Sequence, residues 1–486
     1  MAFRRRILAP ACGLLLMATT AFAQKRSAPA LPPPATAPQA EFLQAADEVL
    51  AEMSKLLLLP VLEPLKRSVR SREEIRAFLV QSMRDDKDDA KRHADQRALE
   101  ALGLIPKGYP LDRKLLSLLT EQVAGMYDPK GREFFIADWT NPADQRMIMA
   151  HELTHALQDQ HFHVEKWEDA AKPNDDDVLA RDAVLEGSAT LSMFDYQLQQ
   201  LGRHPGDIFN LDPALLLSLM FGDLDKSPEL ADSPMALRDE MLFPYGAGAT
   251  FSLEVLKASG GWSGLHKVFE RPPASTQQIM HPDLYLKGVV PVPVALPRLD
   301  KIVPREWKKL DENLLGEFGL NEVLKQFLGQ ERADDLARSW AGDRYAIFER
   351  QPGGPTLLVI RLRLASDEDA ARLFGGYSEV LEKKDAHGTD LLRRPNFFSF
   401  ETPDGGVFLR CFASECLTAE GTTRETFDAM THAMNWPDGP VDPHKTDEKP
   451  GVIVQARPSS SPTGQGSSQR AALLQIIPAS GLLPIR

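Results

Sequence analysis

Cysteine is almost missing from this chain, with three in 486 residues. Cys12 lies near the N-terminus, so the body of the chain holds only Cys411 and Cys416. Two thiols are too few for a structural zinc cluster of the thiolate type. In an oxidising compartment they either close a short loop, with a modest entropic gain, or stay as two thiols in a strand pair. Histidine is also scarce, at 11 residues, so a histidine pair at a defined spacing carries weight. Positive charge is in deficit: 56 Lys and Arg stand against 69 Asp and Glu, a formal net charge of −13. Such a chain is poorly suited to gripping phosphate backbones, which excludes nucleic acid as a favoured partner. Beyond the N-terminus there is no apolar run long enough for a membrane helix, and there is no internal repeat.

The N-terminus carries three arginines, Arg4 to Arg6, then an apolar run from Ala11 to Thr20 and an Ala21-Phe22-Ala23 cleavage pattern. This predicts a signal peptide over 1–23, and an exported protein, periplasmic or secreted, with no stable membrane insertion after cleavage. Cys12 precedes most of the hydrophobic run, which argues against lipidation there. Removing the three arginines would take the charge from −13 to about −16.

Residues 24–40 are rich in Ala and Pro and read as a linker. Helical texture follows to about Leu119, with Ser71-Arg72-Glu73-Glu74 as a capping box. The charged run Arg84–Lys91 reads as a solvated helix end. Asp128-Pro129-Lys130-Gly131 is a turn signal between Val123–Tyr127 and Glu133–Ala137, which predicts a hairpin. Asn141 and Pro142 then open a helix from about Ala143 to Gln160. A second helix is expected from about Asp177 to Leu201, with Asp175, Asp176 and Asp177 complementing its dipole rather than binding calcium. Helical sequence continues to about Glu270, followed by a Pro-rich irregular stretch to Pro304. Residues 306–332 read as a helical connector. Residues 333–436 read as a small α+β domain with strands at Tyr345–Glu349, Thr356–Arg363, Phe397–Glu401 and Val407–Ala413, and helices at Asp367–Lys384 and Arg424–Asn435. The tail, 437–486, reads as disordered.

The chemistry concentrates at His151-Glu152-Leu153-Thr154-His155. Positions i and i+4 of a helix share a face, so both imidazoles can meet one cation. Glu152, about 100° around the helix, reaches a water on that cation without being a ligand. This is the arrangement for zinc chemistry, in which the metal acidifies water and the carboxylate removes its proton. At this histidine content the pattern arises by chance in only about one or two chains per hundred.

A catalytic zinc takes three protein ligands and keeps one position open. Two residues compete for the third place. His161 stands where a metzincin pattern has its last histidine, but that pattern needs Gly at the position of Gln158. The other is Glu186, a carboxylate in an otherwise apolar helical stretch, where it needs a partner. Glu186 is favoured. Asp182, one turn earlier, either orients a ligand histidine or faces solvent. An oxyanion donor is also required; Tyr245 and His281 are the candidates, against readings as a packing aromatic and a turn-capping loop histidine.

His151 to Gln160 followed by Leu185-Glu186-Gly187-Ser188-Ala189 resembles the gluzincin superfamily of thermolysin-like zinc peptidases, and more closely a group of exported bacterial members. The likeness covers about Val123 to Tyr285. Thirty residues separate His155 from Glu186, more than in thermolysin itself. The resemblance implies Zn2+ held by His151, His155 and Glu186, Glu152 as general base, and His281 in the chain order of a transition-state histidine. It also implies that Glu133–Ala137 is an edge strand that pairs with extended substrate. The expected architecture is α+β: a largely helical zincin-like metallopeptidase domain over 41–305 with the small C-terminal α+β domain. The expected activity is hydrolysis of a peptide or protein substrate. The rivals are a catalytically silent zincin scaffold that binds an envelope partner, and a C-terminal domain that is itself the functional part.

Overall fold

The structure, a computed structural model, describes residues 37–85, 89–140, 142–221 and 227–437. The expected signal peptide, the linker up to residue 36, the Asn141 cap and the tail from 438 onward lie outside the described residues.

The N-terminal half is a set of helices around a small sheet. Helix α1 (Ala37–Leu57) begins inside the stretch read as linker. After strand β1 (Lys66–Arg70) comes α2 (Arg72–Asp85), opened by the expected capping box. Ser71 N–H donates to Glu74 Oε2 at 2.7 Å, and Glu74 N–H donates back to Ser71 Oγ at 3.2 Å. Helices α3 (Asp89–Leu102) and α4 (Leu111–Gln122) lead to the hairpin of β2 (Gly125–Asp128) and β3 (Glu133–Ala137). Its turn is closed by Lys130 N–H donating to Asp128 Oδ1 at 3.1 Å.

The sheet order is β1-β3-β2, with β1 parallel and β2 antiparallel to β3. This corrects one expectation. Glu133–Ala137 is the central strand, hydrogen-bonded on both sides, and has no free edge to offer a substrate. The apolar run Phe134-Phe135-Ile136 is fully buried, as a strand covered on both faces requires.

Three long helices follow: α5 (Pro142–Phe162), α7 (Asp175–Gln200) and α8 (Met235–Ser259), with the short α6 (Val164–Asp169) between the first two. Asn174 is the N-cap of α7, accepting from the N–H groups of Asp176 and Asp177. Helices α7 and α8 cross at backbone contact. A Cβ on Gly187 would lie 2.0 Å from the Gly248 carbonyl carbon, and one on Gly248 would lie 2.1 Å from the Ala183 carbonyl oxygen. Only glycine fits at either place. The stretch expected to be irregular holds short helices α9 (Thr276–Met280) and α10 (Pro282–Lys287).

The C-terminal part is a seven-stranded antiparallel sheet in the order β4-β5-β6-β10-β9-β8-β7. Four of its strands were expected: β5 (Trp340–Glu349), β6 (Thr356–Leu364), β8 (Phe397–Thr402) and β9 (Gly405–Phe412). Three were not: β4 (Lys308–Asn313), β7 (Thr389–Arg394) and β10 (Glu415–Thr422). The connector reading of 306–332 is therefore corrected in part, because β4 is an edge strand of the sheet, while α11 (Gly316–Leu328) and the start of the next helix are helical. Helices α12 (Gln330–Ala337), α13 (Asp367–Lys384) and α14 (Arg424–Ala433) complete the described chain. Cys411 and Cys416 face each other across β9 and β10 and form a disulfide, which decides between the two readings of that pair.

One hydrophobic core takes Leu99, Leu102, Leu118 and Phe135 from the N-terminal half together with Leu320, Tyr345, Leu358 and Tyr377 from the C-terminal half. Lys91, the last residue of the charged run 84–91, is not left in solvent. Lys91 Nζ is buried between Asp95 (2.5 Å), Asp311 (2.6 Å) and Asp175 (3.2 Å), carboxylates from α3, β4 and the start of α7. Burial opposes the charge on Lys91, but the three carboxylates outweigh it and raise its pKa. Burial pushes Asp95 up to about 6 despite that ammonium. A cage of three carboxylates that could take a metal ion thus already holds a cation from the chain itself.

Candidate metal centre

Helix α5 presents His151 and His155 on one face, one turn apart, toward Glu186 of α7. His151 Nε2 lies 3.1 Å from Glu186 Oε2, His155 Nε2 lies 3.5 Å from the same oxygen, and the two Nε2 atoms are 3.2 Å apart. Ligands arranged tetrahedrally at about 2.0–2.1 Å from zinc stand about 3.3–3.4 Å from one another. The three donor atoms therefore already form one face of such a tetrahedron. The donor set, two imidazoles and a carboxylate, suits zinc.

Charge supports the same fit. Glu152 and Glu186 are both buried, at 0% and 3% exposure, beside two imidazoles, and buried carboxylates need positive charge nearby. Burial disfavours protonated His155, yet the hydrogen bond and field of Glu186, followed by that of Glu152, outweigh burial and raise its pKa. His151, His155 and Glu186 could hold a metal ion.

The neighbours are placed by the same two helices. Glu152 Oε2 accepts from the backbone N–H of Tyr127 in β2 at 2.9 Å. That strand's outer edge thus faces α5, and Gly125 keeps it close: a Cβ there would lie 2.6 Å from Ile148 Cγ2. The Tyr127 hydroxyl donates to Asp159 Oδ2 at 2.8 Å, tying the strand to the far end of the helix. Two buried polar bridges link α5 to α7: Gln158 Nε2 donates to Ser188 Oγ, and Thr154 Oγ1 meets Ser192 Oγ, each at 2.8 Å. His155 Nδ1 is 3.1 Å from Gln158 Oε1.

A family model described as "Domain of unknown function (DUF8575)" matches residues 305–431. No curated protein matches the chain, and no solved structure does. The matched segment spans the seven-stranded sheet from just before β4, and contains none of His151, Glu152, His155 or Glu186.

Of the other residues singled out in the sequence, Tyr245 is brought to the cluster. It is buried on α8, with its ring centroid 6.1 Å from that of His151 and the planes 25° apart. His281 pairs with another carboxylate, its Nε2 2.7 Å from Glu317 Oε1 at the start of α11. His161 is carried away by the continuing helix, and its Nε2 bonds the Pro60 carbonyl at 2.7 Å. Asp182 is half-buried one turn before Glu186. Sequence reasoning overlooked Gln158 and Ser188, although the signal was present: each falls two or three positions after a ligand, on the ligand's own helix. It also overlooked the reason for Gly187 beside Glu186, which becomes visible only once Gly248 is known to lie across from it.

Proposed function

We propose that this chain is a zinc-dependent metallopeptidase of the gluzincin type, exported from the cell, that hydrolyses a peptide or protein substrate. The observation that carries the reading is the triangle of His151 Nε2, His155 Nε2 and Glu186 Oε2, with edges of 3.1 to 3.5 Å and a glutamate next to the first histidine. A zinc ion held there supplies Lewis-acid polarisation of a water and of the carbonyl under attack. Glu152, fixed by the Tyr127 amide, takes the proton of the attacking water and returns it to the departing nitrogen. Tyr245, packed against His151, brings a phenol beside the cluster to steady the oxyanion. His281, committed to Glu317, is not needed for this assignment.

One observation favours a second reading, a silent scaffold that keeps zinc as a structural element. His151 and His155 are 0% and 1% exposed, as closed structural sites are. The Glu152→Gln variant separates the two. On the peptidase reading it keeps its zinc and loses casein hydrolysis by a factor of about a hundred or more. Undiminished hydrolysis in that variant would remove Glu152 as base, and no hydrolysis by the wild-type protein would favour the scaffold.

A further inference from the structure

We propose that Gln158 is a positioning residue that sets the tautomer of His155, with Ser188 in turn setting the orientation of the Gln158 amide. The inference rests on the zinc reading only for its consequence, since the hydrogen-bond chain exists without any ion.

The chain has a single self-consistent direction. Ser188 Oγ lies 2.6 Å from the Val184 carbonyl, an atom that can only accept, so the hydroxyl proton points there. The hydroxyl is left with lone pairs to offer, and its partner at 2.8 Å in Gln158 must be the amide NH2. That fixes the amide the other way round, with Oε1 facing His155 at 3.1 Å. An amide oxygen facing an imidazole nitrogen requires a proton on that nitrogen, so His155 carries its proton on Nδ1. Nε2 is then the nitrogen turned toward Glu186 and His151, the one whose lone pair a metal ion would take.

One backbone carbonyl on the helix of Glu186 thus determines, through two side chains, which nitrogen of His155 is free. The third ligand and the orienting device share α7, so any shift between α5 and α7 disturbs both together. The position where a metzincin chain turns on glycine is used here to continue the helix and supply the amide.

The test compares wild type with Gln158→Leu, Gln158→Glu and Ser188→Ala by imidazole 15N NMR of the metal-free proteins and by Zn2+ titration. Wild type should show His155 protonated at Nδ1. Gln158→Leu, close in size but without an acceptor, should shift His155 toward the Nε2–H form and weaken zinc binding about 10- to 100-fold. Gln158→Glu keeps an acceptor and should retain the Nδ1–H form and near wild-type affinity. Ser188→Ala frees the amide to turn and should give a mixture of tautomers, which keeps the question answerable if Gln158→Leu does not fold. Unchanged tautomer and affinity in Gln158→Leu would overturn the proposal, as would loss of both in Gln158→Glu. Should the wild type bind no zinc, the zinc reading fails, while the NMR comparison still decides the role of Gln158.

Discussion

Replacing Gly187 by alanine tests whether the placement of Glu186 depends on the backbone-to-backbone crossing of α7 and α8. The new Cβ would stand 2.0 Å from the Gly248 carbonyl carbon and 2.2 Å from its oxygen, both backbone atoms that cannot rotate aside. Ordinary contact begins near 3.4 Å, so α7 and α8 must separate by about 1.4 Å at that point. Overpacking of this kind costs about 1–3 kcal/mol when side chains can yield, and backbone against backbone belongs at the upper end. Alanine returns about 1 kcal/mol through helix propensity, leaving a net loss of about 2 kcal/mol. Metal sites tolerate only about 0.2 Å of error in ligand distance, so the adjacent Glu186 should also lose its fit and zinc affinity should fall at least tenfold. Urea denaturation and zinc titration measure the two effects. The control is Gly375→Ala on α13, where a Cβ meets nothing within 4 Å, and where stability should rise by up to about 1 kcal/mol. A Gly187→Ala protein as stable and as tight for zinc as wild type would refute the close crossing.

Lys91→Met leaves the carboxylates of Asp95, Asp175 and Asp311 without their shared cation and should destabilise the fold by about 3–5 kcal/mol at pH 8. A carboxyl group whose folded pKa is raised, as that of Asp95 already is, weakens the fold above that pKa and stops doing so as pH falls through it. The deficit should therefore shrink between pH 8 and pH 5 in urea melts; a deficit constant across that range would show that the cage is not the cause. A chain ending at Pro304 should fail to fold cooperatively by circular dichroism and thermal melting, because Leu320, Tyr345, Leu358 and Tyr377 complete the core begun by Leu99, Leu102 and Leu118. A sharp native-like transition in that fragment would show that the N-terminal part folds without the shared core. Ser71→Ala removes one half of a capping box and should cost about 1 kcal/mol in the same melts, with an unchanged midpoint counting against the cap.

Local signals were the legible ones. The capping box at Ser71, the hairpin around Asp128, and helices α5, α7 and α13 follow from turn chemistry, caps and periodicity, and they lie within two or three residues of where the sequence places them. The histidine pair and Glu186 were legible because their chemistry restricts residue type and spacing. Information from across the fold was not legible. Strand β4 reads Lys-Lys-Leu-Asp-Glu-Asn, too polar for a strand by composition, and is held by pairing with β5. Strand β10 contains the buried Glu420, acceptable only because Lys384 from α13 pairs with it. Lys91 reads as surface charge until Asp175 and Asp311 arrive from 84 and 220 residues away. The central place of β3 depends in the same way on β1, whose five residues lie in a stretch of helical texture.

The central claim is that two histidines and one glutamate on two helices hold a metal. Metal analysis of the purified full-length protein, wild type beside Glu186→Ala and His161→Ala, tests it most directly. The account predicts about one zinc per chain in the wild type and in His161→Ala, and loss of it in Glu186→Ala. A wild-type protein that stays metal-free in excess zinc would contradict the account, and so would a Glu186→Ala protein that keeps its ion.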